Sequence, residues 1–235
     1  IRLAVDEPYE VDGHVDTKDI APGWNWVSYP YEHDHMISEV FEASNFAEGD
    51  IFLSKESGLA VIKEGVWEND FRLYPNEGYM LYHTGDSVTV EMANRYDLMQ
   101  GEEEEIPRVI ARKAARRAAA ESVWSYDGSQ FANTMAIIAQ LDMTDDASDY
   151  TIGAFVGDEC RGEGKVVNGT AYITAMGEAG ELISFRLYNK VTGKYADVTT
   201  QLMFGDIIGS INEPVLLGTA IPTDVDDVNV AQAIY

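Results

Sequence analysis

Turn residues cut the first hundred positions of this chain into pieces long enough for strands and too short for helices. Asn25-Trp26-Val27-Ser28-Tyr29 runs into Pro30, and Ile51-Phe52-Leu53 follows Gly49-Asp50. Leu59-Ala60-Val61-Ile62 sits between Gly58 and Gly65, and Tyr79-Met80-Leu81-Tyr82 follows Pro75-Asn76-Glu77-Gly78. Apolar runs of this length, bounded by Gly, Pro, Asn and Asp, are the signature of strands in a sandwich or barrel. Ser87-Val88-Thr89-Val90-Glu91-Met92 alternates, which puts Val88, Val90 and Met92 on one face. One short helix is predicted over 36–43, where Ile37, Val40 and Phe41 share a side.

Residues 101–123 break this pattern. Gly101 and four consecutive glutamates, Glu102 to Glu105, lead through Pro107 to Arg108, Arg112, Lys113, Arg116 and Arg117 among alanines. Acid first, proline in the first turn and base toward the end is the charge order a helix dipole favours. Glu104 and Arg108 add the supportive i,i+4 spacing. The segment is therefore read as a helical linker, with its helix between 103 and 121. From Trp124 the β pattern resumes at 134–141, 150–156, 171–176, 182–188, 207–211 and 215–217. Ile183-Ser184-Phe185-Arg186-Leu187 alternates strictly, and 177–180 and 190–194 read as hairpin turns. The expectation is an all-β chain of two tandem β-sandwich-like domains. An aromatic-rich module at 1–100 and a second at 124–221 are joined by the helical linker 101–123. The acidic tail 222–235 reads as the lead into a further C-terminal domain.

Charge narrows the partners. Lys plus Arg number 16 against 41 Asp plus Glu, a net charge of −25. Nucleic acid and anionic lipid both demand a positive footprint, so neither is expected as the main partner. The apolar fraction of 46% supports packed cores rather than wholesale disorder. No run approaches the roughly 18 apolar residues needed to cross a bilayer. The chain opens on Ile1 without a signal peptide, which reads as a mature or excised segment. Cys160 is the only cysteine, so no intrachain disulfide forms; low cysteine suits cytosolic and bacterial extracellular proteins alike.

Two stretches resemble modules of a known family. Gly23-Trp24-Asn25-Trp26-Val27-Ser28-Tyr29-Pro30, Gly49-Asp50-Ile51-Phe52-Leu53-Ser54 and Leu73-Tyr74-Pro75-Asn76-Glu77-Gly78-Tyr79-Met80-Leu81-Tyr82 resemble a repeated module of secreted surface proteins from Bacteroidetes-type bacteria. Asn76-Glu77-Gly78 departs from the turn usual in that module. Asn133-Thr134-Met135, Ile152-Gly153-Ala154-Phe155-Val156-Gly157-Asp158-Glu159-Cys160-Arg161-Gly162 and Ile183-Ser184-Phe185-Arg186-Leu187-Tyr188 resemble the β-sandwich module that often follows it. The resemblance covers about four-fifths of the chain and implies an extracellular, adhesin-like protein attached to the bacterial cell envelope. It carries over no catalytic residues.

Several clusters invite a chemical reading. His33-Asp34-His35 offers imidazole and carboxylate ligands, but neighbouring residues rarely converge on one ion, and a turn at a helix start accounts for them better. The loop 142–149 supplies Asp142, Asp145, Asp146 and Asp149, oxygen ligands that suit a structural calcium, but it lacks the EF-hand spacing and a solvated Asx-rich turn accounts for it better; no other cofactor is expected. Asp158-Glu159-Cys160-Arg161-Gly162 places acids beside a thiol, yet no histidine is tied to Cys160 by spacing, so a turn with a small apolar filler is the better account. Asn168-Gly169-Thr170 matches a glycosylation sequon and reads as a turn. Trp24 and Trp26 project to one side of any strand that holds them. Aromatics left over from the core would stack on sugar rings or plug protein pockets, with Trp26, Tyr29, Tyr31 and Trp67 as the candidates. The expected function is a non-catalytic extracellular module at the bacterial cell surface that recognises a neutral glycan or a protein of the envelope. The alternative is a spacer presenting a neighbouring catalytic or anchoring domain.

Overall fold

The computed structural model describes residues 17–29, 31, 34–75, 77–92, 122–143 and 147–220. The predicted helix at 103–121 and the tail 222–235 lie outside the described residues. Of the described residues 55% are strand, and the α-helix is one short turn, so the β-rich expectation holds. The chain divides into two units, Ile1–Glu121 and Ser122–Tyr235.

In unit 1 the turn-bounded runs form β1 (Thr17–Ile20), β2 (Gly23–Ser28), β3 (His35–Met36), β4 (Ile51–Ser54), β5 (Gly58–Lys63), β6 (Val66–Glu68), β7 (Arg72–Leu73), β8 (Gly78–His83) and β9 (Val88–Glu91). The main sheet is antiparallel in the order β2-β8-β4-β5-β6, with β1-β9 and β3-β7 as two-stranded ribbons. Alternation sorts β8: Tyr79, Leu81 and His83 are buried on one face, while Met80 and Tyr82 on the other are half-buried. The helix α1 (Ile37–Val40) is shorter than predicted because Phe41 already has extended φ and ψ. Its Met36 amide donates to the Glu39 carboxylate at 2.6 Å, and Ser38 donates to Asp70. Ile37, Val40 and Phe41 are buried together, as their shared face requires. The core is aromatic: Phe52 meets Phe41, Trp67, Phe71 and Tyr79 at centroid distances of 5.3, 5.9, 6.2 and 5.8 Å.

Unit 2 corrects the sandwich expectation: it is a closed seven-stranded barrel. Its strands are β10 (Asn133–Asp142), β11 (Tyr150–Val156), β12 (Glu159–Val167), β13 (Thr170–Gly177), β14 (Leu182–Asn189), β15 (Tyr195–Val198) and β18 (Val215–Ala220), with β16 (Leu202–Met203) and β17 (Ile207–Ile208) as short additions. The order is β11-β12-β13-β10-β18-β15-β14, and β14 pairs back onto β11 with Tyr150 opposite Asn189 and Phe155 opposite Ser184. Sandwich and barrel share the same inward–outward alternation, and only this last pairing separates them. An odd ring cannot alternate direction throughout, so one neighbouring pair must be parallel. That pair is the first and last strands, β10 and β18. The interior is a packed core of Met135, Ile137, Ile152, Ile173, Phe185 and Leu187, with Ala139, Ala154, Ala171 and Ala175 taking the narrow places. Asn168 and Gly169 both have positive φ between the paired Val167 and Thr170, so the sequon is a two-residue hairpin turn of type I′ geometry.

Phe52 sits at the centre of unit 1 and is fully buried. Phe52→Ala should cost about 3–5 kcal/mol, seen as a lower denaturant midpoint for unit 1 with an unchanged slope.

Candidate functional site

Among the described residues of unit 1, strand β2 holds the most exposed aromatic side chain. Val27 points into the core, so Trp24 and Trp26 point away from it, as their spacing predicts. Register makes two rows across the sheet on the face opposite that core: Trp26, Met80, Leu53 and Leu59, and beside it Trp24, Tyr82, Ile51 and Val61. Burial falls along the first row from Leu59 and Leu53, fully covered, through half-buried Met80 to Trp26, which is 71% exposed. Trp24 meets Tyr82 edge-on at 5.1 Å, which fixes the indole next to Trp26. The Asn25 carboxamide accepts from the Ala21 amide at 2.9 Å and donates to the Ala21 and Gly23 carbonyls at 2.7 and 2.9 Å. One side chain thus pins the start of β2 and, with it, the placement of both tryptophans.

The other three candidate aromatics are core residues. Tyr29, Tyr31 and Trp67 are each 5% exposed. Two of their polar ends are served inside the protein: the Tyr29 hydroxyl lies 2.5 Å from His35 Nδ1, and Trp67 Nε1 donates to the Phe41 carbonyl at 2.9 Å. Tyr31 packs edge-on against Tyr29 and His35. The expected binding surface contracts to Trp26, because a tyrosine or tryptophan with an internal hydrogen-bond partner has no reason to stay at the surface.

The metal readings gain no ligand set among the described residues. His33 lies outside the described residues, His35 is buried against Tyr29, and Asp34 pairs with Arg72 at 2.9 Å. Of the proposed calcium ligands, Asp145 and Asp146 lie outside the described residues. Asp142 ends β10, and the Asp149 carbonyl accepts from the Lys190 amide. Among the described residues, no three His, Cys, Asp or Glu side chains gather as ligands.

The string around Cys160 is tied into ion pairs. Arg161 pairs with Glu159 at 3.0 Å and Glu181 at 3.4 Å and lies over the Phe131 ring at 4.2 Å, while Arg186 pairs with Asp158 at 2.9 Å. Burial pushes the Cys160 thiol above its usual range, the reverse of what a nucleophile needs.

Among the described residues, His83 and Asp50 form the most buried ion pair. Nδ1 of His83 lies 2.5 Å from Asp50 Oδ2, and Nε2 lies 2.7 Å from the Asp86 carbonyl. Asp50 also accepts from the Ala47 amide at 3.0 Å and from the Thr84 amide and hydroxyl at 2.7 and 2.8 Å. Both ring nitrogens face acceptors, so the imidazolium satisfies both. Burial works to lower the His83 pKa, but the hydrogen bonds and charges of Asp50 and Asp86 outweigh it, and the net shift is upward. With Nε2 occupied by a backbone carbonyl, the dyad has no free nitrogen for a substrate. It staples the start of β4 to the end of β8.

A second aromatic group carries no motif in the sequence. On the outer wall of the barrel, Tyr188 and Tyr195 are cross-strand partners with centroids 5.0 Å apart. Trp124 lies 5.5 Å from Tyr195 and 5.2 Å from Phe155. Its indole rests on Gly153, where a Cβ would come within 2.8 Å of the ring. Tyr195 is 57% exposed. The hairpin turn predicted at 190–194 is the signal that could have found the tyrosine pair, since it sets Tyr188 opposite Tyr195.

No family model, curated protein or solved structure matches the chain, so function rests on geometry. Two outcomes follow from the titratable groups. Because the folded pKa of His83 is raised, its stabilising contribution is full below the unfolded value of about 6.5 and is lost as pH rises through the folded value. Unit 1 should therefore lose stability above that pH, and His83→Gln should flatten the dependence in denaturant titrations from acidic to mildly basic pH. Cys160 should react with iodoacetamide at neutral pH more slowly than free cysteine, by roughly an order of magnitude, and reach normal rates in denaturant.

Proposed function

We propose that this chain is a non-catalytic extracellular module of a bacterial cell surface that recognises a neutral glycan or an envelope protein through Trp26. The observation that carries the reading is the apolar row that ends in that open indole, on a strand whose start is pinned by Asn25. A flat ring fixed by its strand stacks on a sugar face or fills a partner's pocket with little further loss of side-chain entropy. The net charge of −25 disfavours acidic polysaccharides, nucleic acid and anionic lipid as partners. The extracellular placement is supported by the resemblance of the β2, β4 and β8 motifs to secreted surface modules. The alternative, a spacer, draws support from the parallel β10–β18 pair, because the chain enters the barrel at one end and leaves at the other.

The test is a glycan array and an envelope pull-down with the whole chain, followed by affinity measurements on any ligand found. Trp26→Ala should weaken binding by roughly tenfold or more while leaving the thermal midpoint unchanged, since the side chain is exposed. Tyr195→Ala should leave affinity intact. A Trp26→Ala variant that binds as well as the parent, or a parent chain that binds nothing, would reject recognition through Trp26 in favour of the spacer.

A further inference from the structure

We infer that unit 2 is a tension-bearing element, with β10 and β18 forming a clamp that is loaded in shear when the chain is pulled from outside the barrel. The inference goes beyond recognition and does not depend on what Trp26 binds. β10 and β18 are neighbours and parallel, with Ala139, Gln140, Leu141 and Asp142 opposite Val215, Leu216, Leu217 and Gly218. Tension from the segment before Asn133 draws β10 toward one end of the barrel. Tension from the segment after Ala220 draws β18 toward the other. Each strand is pulled along its own axis, so the interstrand bonds resist together. Had the first and last strands been antiparallel, their outer ends would lie at the same end, and their bonds would open one at a time.

The surroundings of the pair reinforce it. β17 extends the parallel contact along the earlier half of β10, with Ala136 opposite Ile207 and Ile137 opposite Ile208, and the Ala136 amide donates to the Asp206 carbonyl at 2.9 Å. Between β17 and β18 the chain presses against β10 at Gly209, which has φ +76° and where a Cβ would lie 2.1 Å from the Ile138 carbonyl oxygen. Only glycine permits that approach. The far edge of β18 is held as well: Val198 and Asp197 pair with Thr219 and Ala220, the Thr199 amide donates to the Gly218 carbonyl at 2.8 Å, and the Gly218 amide donates to the Thr200 hydroxyl at 2.9 Å. Sliding β18 would also drag Leu217, fully buried, through the core. Ahead of β10, Trp124 and Phe131 lie on the barrel wall against Phe155 and Arg161, so this short stretch peels away before the clamp is loaded.

Single-molecule force spectroscopy on the whole chain tests the inference by changing only the direction of pull. In a Cys160→Ser background, Val123→Cys and a C-terminal handle load the clamp. Lys165→Cys and Val191→Cys instead pull across β12, β11 and β14. Equal thermal midpoints establish that both proteins are folded alike. The first geometry should give a small early extension of about 30 Å and then one cooperative rupture releasing about 300 Å of chain, at a force at least about twofold that of the second geometry. Equal rupture forces in the two directions, or gradual strand-by-strand extension in the first, would overturn the clamp.

Discussion

The backbone pairing of β11 with β14 governs the second half of this molecule. It turns a sheet that would have two open edges into a ring without any, which removes the template for edge-to-edge association. It also dictates topology. Seven strands cannot close with every neighbour antiparallel, so the mismatch has to fall somewhere, and it falls between the strand that opens the unit and the one that ends it. The packed interior follows from the same closure, since a ring this small leaves room for side chains and little else. The aromatic side chains of Tyr188, Tyr195 and Trp124 accordingly lie on its outer wall.

Unit 1 depends on a different device. Its sheet is held by alternation and by an aromatic cluster around Phe52, and the charged His83–Asp50 pair fixes the ends of two adjacent strands where a loop would otherwise leave buried polar groups unserved. The cost of burying that charge is met by an unusually complete set of partners. Elsewhere the cations are spent locally: Lys63 on Glu68, Arg72 on Asp34, Arg186 on Asp158. At physiological salt the reach of an exposed charge is limited to about 8 Å.

Strand positions were legible from sequence because glycine, proline and asparagine interrupt the apolar runs at fixed places. Asn168-Gly169 became a hairpin turn, and Ile37, Val40 and Phe41 shared a buried face as their spacing required. The pairing of distant strands was not legible. Nothing local in Tyr150 or Asn189 says that they meet, and alternation looks the same in a sandwich and a barrel. The site was half legible. The common side of Trp24 and Trp26 follows from strand periodicity, but the burial of Tyr29, Tyr31 and Trp67 depends on partners such as His35 and the Phe41 carbonyl that only the fold supplies. Abundance of aromatics indicates a supply, and long-range packing decides which of them reach solvent.

The direction of the strands that open and end the barrel also sets a length. A unit whose chain returns to the end where it began adds a knob to a string and leaves its span nearly unchanged. Here β10 and β18 both run the same way, so the unit is threaded rather than hung. Ten residues of β10 at about 3.3 Å each, tilted as barrel strands are, amount to roughly 25 Å of stand-off. Copies joined in series would add their heights, and the distance from a surface to whatever lies at the far end would scale with their number.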